Sequence, residues 1–401
     1  MNPGIAELCD EIIIGNFNDP IFVVDYAKEV SAYLAIIGPE NPLAEGVSDA
    51  LWNAGIKVIG PKKKLAQIET SKAFTRNLQK KHKIPGGPKY KVFSSMNGVP
   101  EFLSNLGNDY VVKFDGLAGG KGVKVSGEHL HSHEEAVFHC SDLIDNENSF
   151  VIEEKFIGEE FSLMSFCDGK TLSHMPIIQD HKRAFENDTG PNTGGMGTYS
   201  DVNHSLPFLK VNEVSEAKAI NVATANALRK EFNEGYIGIL YGGFIATKDG
   251  VKLIEYNARF GDPEAMNIFS LLETDFLEIC ESLTEQRLDK VKIKFKNKAT
   301  VCKYAVPNGY PNKPVKNLPI NLKKIKNPDR LFYASVDIKN NELVESGSRT
   351  IASVGVSDSI FSAEKIAEDE ILKIEGPLFH RSDIGKKKLI DKKIKHMNSI
   401  R

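Results

Sequence analysis

No run of apolar residues in this chain approaches the roughly 18 that a bilayer crossing requires, and no signal-like segment opens it. Cysteine is sparse: Cys9, Cys140, Cys167, Cys280 and Cys302 are scattered, odd in number and without a C-x-x-C pair. That pattern argues against a disulfide framework or a zinc site and for a reducing compartment. An excess of either charge is lacking too. A net charge of −3 offers no electrostatic case for nucleic acid or a membrane surface. Internal repeats are absent. What is there, 401 residues with 41% hydrophobic and 26% charged, is ordinary for a soluble globular protein of two to three domains. A cytoplasmic enzyme is the expectation.

The first sixty residues alternate short apolar runs with helix-like stretches. Glu11–Gly15, Tyr33–Gly38 and Lys57–Gly60 each end in glycine and read as buried parallel strands. Pro20–Ser31 and Leu43–Ala54 fit the crossover helices between them, which is α/β winding, though only part of a doubly wound domain. Thr70 or Ser71 can cap a helix carrying Phe74 and Leu78 on one face. Strands and helices mix from Pro88 to about Leu283, and the proline-rich run Val306–Ile320 marks a boundary or extended crossing. Strands over 331–338 and 350–356 and a helix near 362–374 make a small α+β unit. The lysine-rich end, 386–395, reads as a solvated helix face. The expected fold is α/β and α+β multidomain, divided at residues 1–70, 71–283 and 284–401.

Three segments carry chemistry. In 110–125, YVVKFDGLAGGKGVKV, a glycine-rich turn joins strand to strand. It is not a Walker A loop, because Lys121 is followed by Gly122 rather than Ser or Thr and Gly116 is one residue too close. Its glycines let successive backbone N–H groups approach an anion, and Lys121 adds a point charge. In 251–264, VKLIEYNARFGDPE, a strand places Val251, Leu253, Glu255 and Asn257 on one face, so two hard oxygen donors stand side by side, as magnesium prefers. Arg259 falls within reach of a transferring phosphoryl group. In 151–162, VIEEKFIGEEFS, an apolar strand runs into an acidic turn that suits a hinge beside a nucleoside. A fourth stretch, 180–200 (DHKRAFENDTGPNTGGMGTYS), shows no apolar period and reads as a functional loop.

A phosphate-covering loop, a hinge and a metal-binding strand, in that order, resemble the ATP-grasp fold. RFGDPEAM (259–266), DHKR with GPNTGGMGTYS, GLAGGKGV (116–123), GPENPLAEG (38–46), SKAF (71–74), SGSRTIASVG (346–355) and FHRSDIG (379–385) resemble, block by block, the phosphoribosylamine–glycine ligase family. The resemblance spans nearly the whole chain. It implies ATP as co-substrate, Mg²⁺ or Mn²⁺, glycine and 5-phosphoribosylamine as substrates, a glycyl phosphate intermediate, and a monomer without nucleic-acid or membrane partners. It gives Lys72, Lys113, Gly119, Gly120, Lys121 and Gly122 to the phosphates, Glu154 and Glu160 to the nucleoside, and Glu255 and Asn257 to the metal. Arg259 and Lys121 become the catalytic residues. Glu40, Asp180, His181, Lys182, Arg183, Asn192, Gly194, Gly195, Met196 and Asp262 become the substrate-binding set.

The chain also departs from the family pattern. Members begin with a strand, a turn containing G-R-E-H, a helix and a second strand before the N-P-G found here at Asn2–Gly4. The expectation is a natural start further upstream, with Leu34–Ile37 otherwise uncovered along an open edge. Many ATP-grasp proteins carry an acidic ligand about a dozen residues before the E-x-N pair, where this sequence has YGGF (241–244). His129, His131, His133 and His139 beside Cys140 read as surface histidines rather than a metal site. Two other readings stay open: another ATP-grasp carboxylate–amine ligase or carboxylase, or a nucleotide-binding relative inactivated by loss of its N-terminus.

Overall fold

The computed structural model describes residues 1–119, 122–146 and 148–401. The N-terminal part comprises α1 (Pro3–Ala6), α2 (Pro20–Glu29), β1 (Leu34–Ile36), α3 (Glu40–Glu45), α4 (Val47–Asn53), β2 (Lys57–Ile59) and α5 (Lys63–Thr70). The Asp19 side chain accepts from the Ile21 N–H and Pro20 occupies the first turn, so α2 begins where cap chemistry demands. β1 and β2 pair in parallel, Leu34 opposite Lys57, over a core of Ala27, Val47, Leu51, Ile56 and Val58. Two expectations are corrected here. Glu11–Gly15 lies outside any strand, with Ile13 and Ile14 exposed, because β1 and β2 pair only with each other and leave it no ladder partner. The helix expected over 43–54 is two helices, broken where Gly46 adopts φ 86°.

A small lobe follows. It holds α6 (Lys72–Lys81), β3 (Tyr90–Phe93), α7 (Val99–Leu106), β4 (Tyr110–Phe114), β5 (Val123–Val125), α8 (His133–Asp145) and β6 (Phe150–Glu154). Ser71 Oγ accepts from the Phe74 N–H and caps α6, as the sequence indicated. The sheet order is β3-β6-β4-β5, antiparallel throughout, and Phe93, Leu103, Val112, Cys140 and Phe150 fill the lobe's own core. The glycine-rich turn links β4 to β5 as an antiparallel hairpin. Gly120 and Lys121, both assigned to the phosphates, lie outside the described residues.

The linker 155–158 leads into a second sheet. Gly158 presses so closely on the backbone at Ala246 that a Cβ there would stand 1.8 Å from the Ala246 carbonyl oxygen. Next come β7 (Glu159–Asp168), β8 (Leu172–His174), β9 (Gln179–Asp180), β10 (Arg183–Phe185), β11 (Thr189–Asn192), β12 (Gly197–Ser200), α9 (Val211–Phe232), β13 (Ile237–Thr247), β14 (Gly250–Asn257), α10 (Glu264–Leu271) and α11 (Phe276–Thr284). The large-lobe sheet runs β14-β13-β7-β8. Residues 180–200 are not the structureless loop expected: β10 and β11 form a hairpin turned by Asn187 and Asp188 at φ 59° and 58°. Ladders this short are too brief for an apolar period to register, and Asn and Asp tolerate the left-handed turn.

The remaining elements are β15 (Ala299–Pro307), β16 (Leu331–Tyr333), β17 (Val336–Lys339), β18 (Glu342–Glu345), β19 (Ile351–Ser357), α12 (Ile360–Ile371), β20 (Leu378–Phe379) and α13 (Lys387–Ile400). The strand expected over 331–338 is two strands in different sheets, and Val306 and Pro307 end β15 rather than opening a linker. One sheet, β16-β19-β15-β12-β9, joins C-terminal strands to residues 179–200. Met196, Tyr199, Val301, Tyr304, Leu163 and Phe244 share a single core cluster across the two parts. Nor is the lysine-rich end merely solvated. Lys393 of α13 reaches inward to Glu159 at 3.0 Å and Asp188 at 3.2 Å.

Candidate active site

β14 sets the geometry. Gly243 of β13 pairs with Glu255, but the next residue, Phe244, pairs with Leu253, so Ile254 is a bulge. A bulge inserts one residue and flips the side-chain alternation beyond it. Val251, Leu253 and Tyr256 therefore enter the core cluster, while Glu255 and Asn257 turn the other way. This corrects the expectation that all four odd-numbered residues share a face. Glu255 and Asn257 still lie together, at i and i+2 past the bulge. Glu255 lines two cavities, one of about 220 Å³ and one of about 350 Å³. Gly243 occupies the position opposite it.

The smaller cavity is lined by Glu69, Lys72, Arg76, Glu153 and Glu255, among others. Lys72, at the start of α6, donates to the Gly116 carbonyl at 2.9 Å, which holds it against the glycine-rich hairpin. Lys113 is almost wholly buried. Its Nζ lies 2.8 Å from Glu153 Oε2 and donates to the Ile254 carbonyl of the bulge at 2.9 Å. Arg76 closes the network with Nε 2.7 Å and Nη2 2.9 Å from the two Glu153 oxygens, and Nη2 also donates to Ile254 O. Burial pushes the Glu153 carboxyl up, but Arg76 and Lys113 outweigh it and hold it at about 2. The sequence reading chose the neighbouring Glu154, whose Oε2 accepts from the Lys89 N–H. Arg76 and Glu153 were missed. The usable signal was the i, i+4 spacing of Lys72 and Arg76, which places two cations on one helix face.

The larger cavity is lined by Glu160, Ser162, Asp180, Lys182, Tyr241, Gly243 and Glu255, among others. Asp180 Oδ1 is buried without a hydrogen-bond partner among the described residues, and burial followed by repulsion from Glu264 raises its carboxyl well above the carboxylate range. Gly195, at φ 115°, permits this approach: a Cβ would stand 2.7 Å from Asp180 Oδ1. Lys182 lies 3.8 Å from Glu160. Burial would lower its pKa, but Glu160, Glu255, Asp180 and Glu264 together raise it. Burial pushes the Glu255 carboxyl up, but Lys182, Lys113, Lys72 and Arg259 together more than reverse it and hold it below the usual carboxylate range. Glu255 is thus an ionised carboxylate among four cations.

Other expected substrate residues fall elsewhere. Met196 is fully buried in the core, so its side chain is scaffold and only its backbone, which donates to His181 O, serves the loop. His181 is buried, its Nδ1 3.2 Å from Asp188, and its Nε2 has no partner among the described residues. Burial, the largest influence, lowers its pKa. Arg183 reaches back to the small lobe, pairing with Glu128 just beyond β5, and donates to Gly190 O. Asn192 is exposed at the end of β11. Gly194 offers its carbonyl to Arg349 at 2.8 Å. Arg349 also grips Asp262 and lies over the Tyr304 ring, a contact the sequence did not reveal. Arg259 turns toward the N-terminal part, with Nε 3.1 Å from Glu40 and Nη2 3.6 Å from Glu69. Burial lifts the Glu69 carboxyl to about 7.

Among the described residues no cluster of three or more His, Cys, Asp or Glu could hold a metal on its own. His133 instead bonds the Gly107 carbonyl and His129 accepts from the Val125 N–H. The donor set at Glu255 and Asn257 is of another kind: two hard oxygens, one of them charged, which fits a divalent cation that fills the rest of its shell with phosphates and water. No helix among the described residues is long and apolar enough to cross a membrane.

Two lobes joined by a linker, a glycine-rich hairpin whose Gly116 carbonyl meets Lys72 at one cavity, and an E-x-N strand shared between two cavities define an ATP-grasp enzyme, a class that uses ATP with a divalent cation. Family models of phosphoribosylglycinamide synthetase match along the chain, the N domain at residues 1–69, the ATP-grasp (A) domain at 70–265 and the C domain at 300–387. Phosphoribosylamine–glycine ligases of Methanosarcina barkeri and Methanocaldococcus jannaschii are each 48% identical to it, over 100% of this chain and 92% of theirs. The crystal structure of the Thermotoga maritima phosphoribosylamine–glycine ligase superimposes with a TM-score of 0.73 at 28% identity, covering 82% of this chain and 81% of that one. The biotin carboxylase domain of Hydrogenobacter thermophilus 2-oxoglutarate carboxylase, also at 0.73 but 14% identical, covers 98% and 88% and shares the fold alone. The chain belongs to the phosphoribosylamine–glycine ligase family and is an ATP-dependent ligase.

Proposed function

We propose that this enzyme joins glycine to 5-phosphoribosylamine with ATP, giving glycinamide ribonucleotide, ADP and phosphate, as a step of purine biosynthesis. The observation that carries the reading is the position of Glu255 between the cavities, one lined by Lys72 and Arg76, the other by Asp180 and Lys182. A phosphoryl group passing from nucleotide to acceptor would cross at this carboxylate.

Phosphoryl transfer needs positioning and charge neutralisation more than a protein nucleophile. Lys72, Lys113 and the hairpin Gly119–Gly122 hold the polyphosphate, and Glu154 and Glu160, at the two ends of the linker, take the nucleoside. Glu255 and Asn257 would hold Mg²⁺ or Mn²⁺, which when bound neutralises phosphate charge. A glycine carboxylate oxygen attacks the γ-phosphorus and ADP leaves, with Arg259 and Lys121 stabilising the charge in transit. The amine of phosphoribosylamine then attacks the acyl carbon of glycyl phosphate, phosphate departs and the amine loses a proton. Asp180, with a buried oxygen lacking a partner, suits the glycine ammonium. Lys182, Arg183 and Glu40 shape the acceptor site, while His181, Asn192, Gly194, Gly195 and Asp262 belong to the segments that flank it. We place the enzyme in the cytoplasm as a monomer, without nucleic-acid or membrane partners.

The test is ADP release from the purified chain with Mg-ATP, with and without glycine and freshly generated phosphoribosylamine. Release that needs both substrates supports the reading. Release driven by a different amine or carboxylate, or nucleotide binding without turnover, overturns it.

A further inference from the structure

Glu69 is assigned no role by sequence motif, yet it is the carboxylate most intimately joined to the active strand. It lies in the last turn of α5, whose Leu65, Ala66 and Ile68 are buried in the main core with Leu253 and Tyr256 of β14, so its backbone is fixed. Its own side chain is only 6% exposed. Oε2 accepts from the Ala258 N–H at 2.7 Å, and Oε1 lies 3.6 Å from Arg259 Nη2. Ala258 is the single residue between Asn257 and Arg259. One buried side chain therefore holds both the backbone and the guanidinium of the stretch that leaves β14.

We infer that Glu69 is a positioning residue that sets the amide of Asn257 and the guanidinium of Arg259 together. Misplacing a catalytic group by an ångström is enough to lose most of its effect, and sites are precise when supporting side chains are locked by packing. Glu40 contributes a second contact to the same arginine at 3.1 Å, but it is more exposed and touches no backbone of the strand. Facing Glu69 across the cavity are Lys72 and Arg76 of α6, Glu153 of β6 and Glu255 of β14. None of them bonds Ala258 or Arg259, which singles out Glu69. This inference rests on Asn257 and Arg259 serving the reaction as proposed.

The experiment compares Glu69→Gln, which keeps an acceptor for Ala258 but loses the charge facing Arg259, with Glu69→Ala and Glu69→Asp. Turnover is measured with Mg-ATP, glycine and phosphoribosylamine. Mn²⁺ affinity is measured separately on each variant with a non-hydrolysable ATP analogue. The expected result is a fall in kcat of about 10- to 100-fold for Glu69→Gln with little change in glycine KM, the size typical of groups that orient metal-site ligands. Glu69→Ala should also weaken Mn²⁺ binding by about tenfold, and Glu69→Asp should restore part of both losses. Unchanged kcat in Glu69→Gln, or unchanged Mn²⁺ affinity in folded Glu69→Ala, overturns the inference. If Arg259→Gln retains full turnover while Mn²⁺ binding still falls in Glu69→Ala, the role given to Arg259 fails and the backbone-positioning role stands.

Discussion

Arg349 holds Asp262 with Nη2 2.8 Å from Oδ2 and, from Nη1, a bond of 2.8 Å to the Asp262 carbonyl. The same Nη1 bonds Gly194 O, so one guanidinium ties the RFGDPE turn to the glycine-rich end of the 180–200 segment. A lysine has no planar fork and cannot make these contacts together. Arg349→Lys is expected to lower kcat/KM for glycine on the order of 100-fold, because the two segments that flank the acceptor cavity shift. Steady-state kinetics check this, and thermal unfolding should show only a small loss of stability.

Glu153 makes a second prediction. Its carboxyl is held at about 2 in the fold, below its ordinary 4.5, against the opposing push of burial. A depressed carboxylate contributes stability above its unfolded pKa that is lost as pH falls through the folded one. Stability should therefore drop as pH falls from about 4.5 toward about 2. Glu153→Gln leaves Arg76 and Lys113 buried without their counter-ion and should cost about 3 to 5 kcal/mol at neutral pH. It should also flatten the acid limb of a urea-unfolding series.

Much of this was legible in the residues. The capped helix at Ser71, the β4–β5 hairpin and β14 follow from local patterns of cap, glycine and alternation. The bulge at Ile254 was not legible, since a register slip depends on the partner strand and leaves no mark in one segment. Glu69, Arg76 and Glu153 were hidden for a related reason. Their role comes from partners distant in sequence, 77 residues between Arg76 and Glu153 and 189 between Glu69 and Ala258, and a lone buried charge looks the same as a solvated one until those partners are known. The 180–200 hairpin escaped because its strands are too short to show a period, and Met196 escaped because a glycine-rich setting disguises a core side chain.

A third prediction concerns α13. Lys393 joins Glu159 and Asp188, and Asp188 also receives Arg381 at 2.8 Å and faces His181. Burial opposes ionisation of Asp188, but the hydrogen bond with His181, and then Lys393 and Arg381, hold its carboxyl far below the usual range. Lys393→Met removes one cation from a largely buried cluster and should destabilise the fold by about 3 kcal/mol. Chemical denaturation measures this. Kinetics should show a raised acceptor KM, since the cluster anchors the turn of the β10–β11 hairpin.

The central claim is that glycine is activated by phosphorylation at the carboxylate between the two cavities. Its most direct test uses glycine labelled with ¹⁸O in both carboxyl oxygens, turned over with Mg-ATP and phosphoribosylamine. Attack of a carboxylate oxygen on the γ-phosphorus, followed by attack of the amine on carbon, leaves one glycine oxygen in the phosphate released. The account predicts one ¹⁸O per phosphate in the product. Unlabelled phosphate, formed while glycinamide ribonucleotide accumulates, would contradict it.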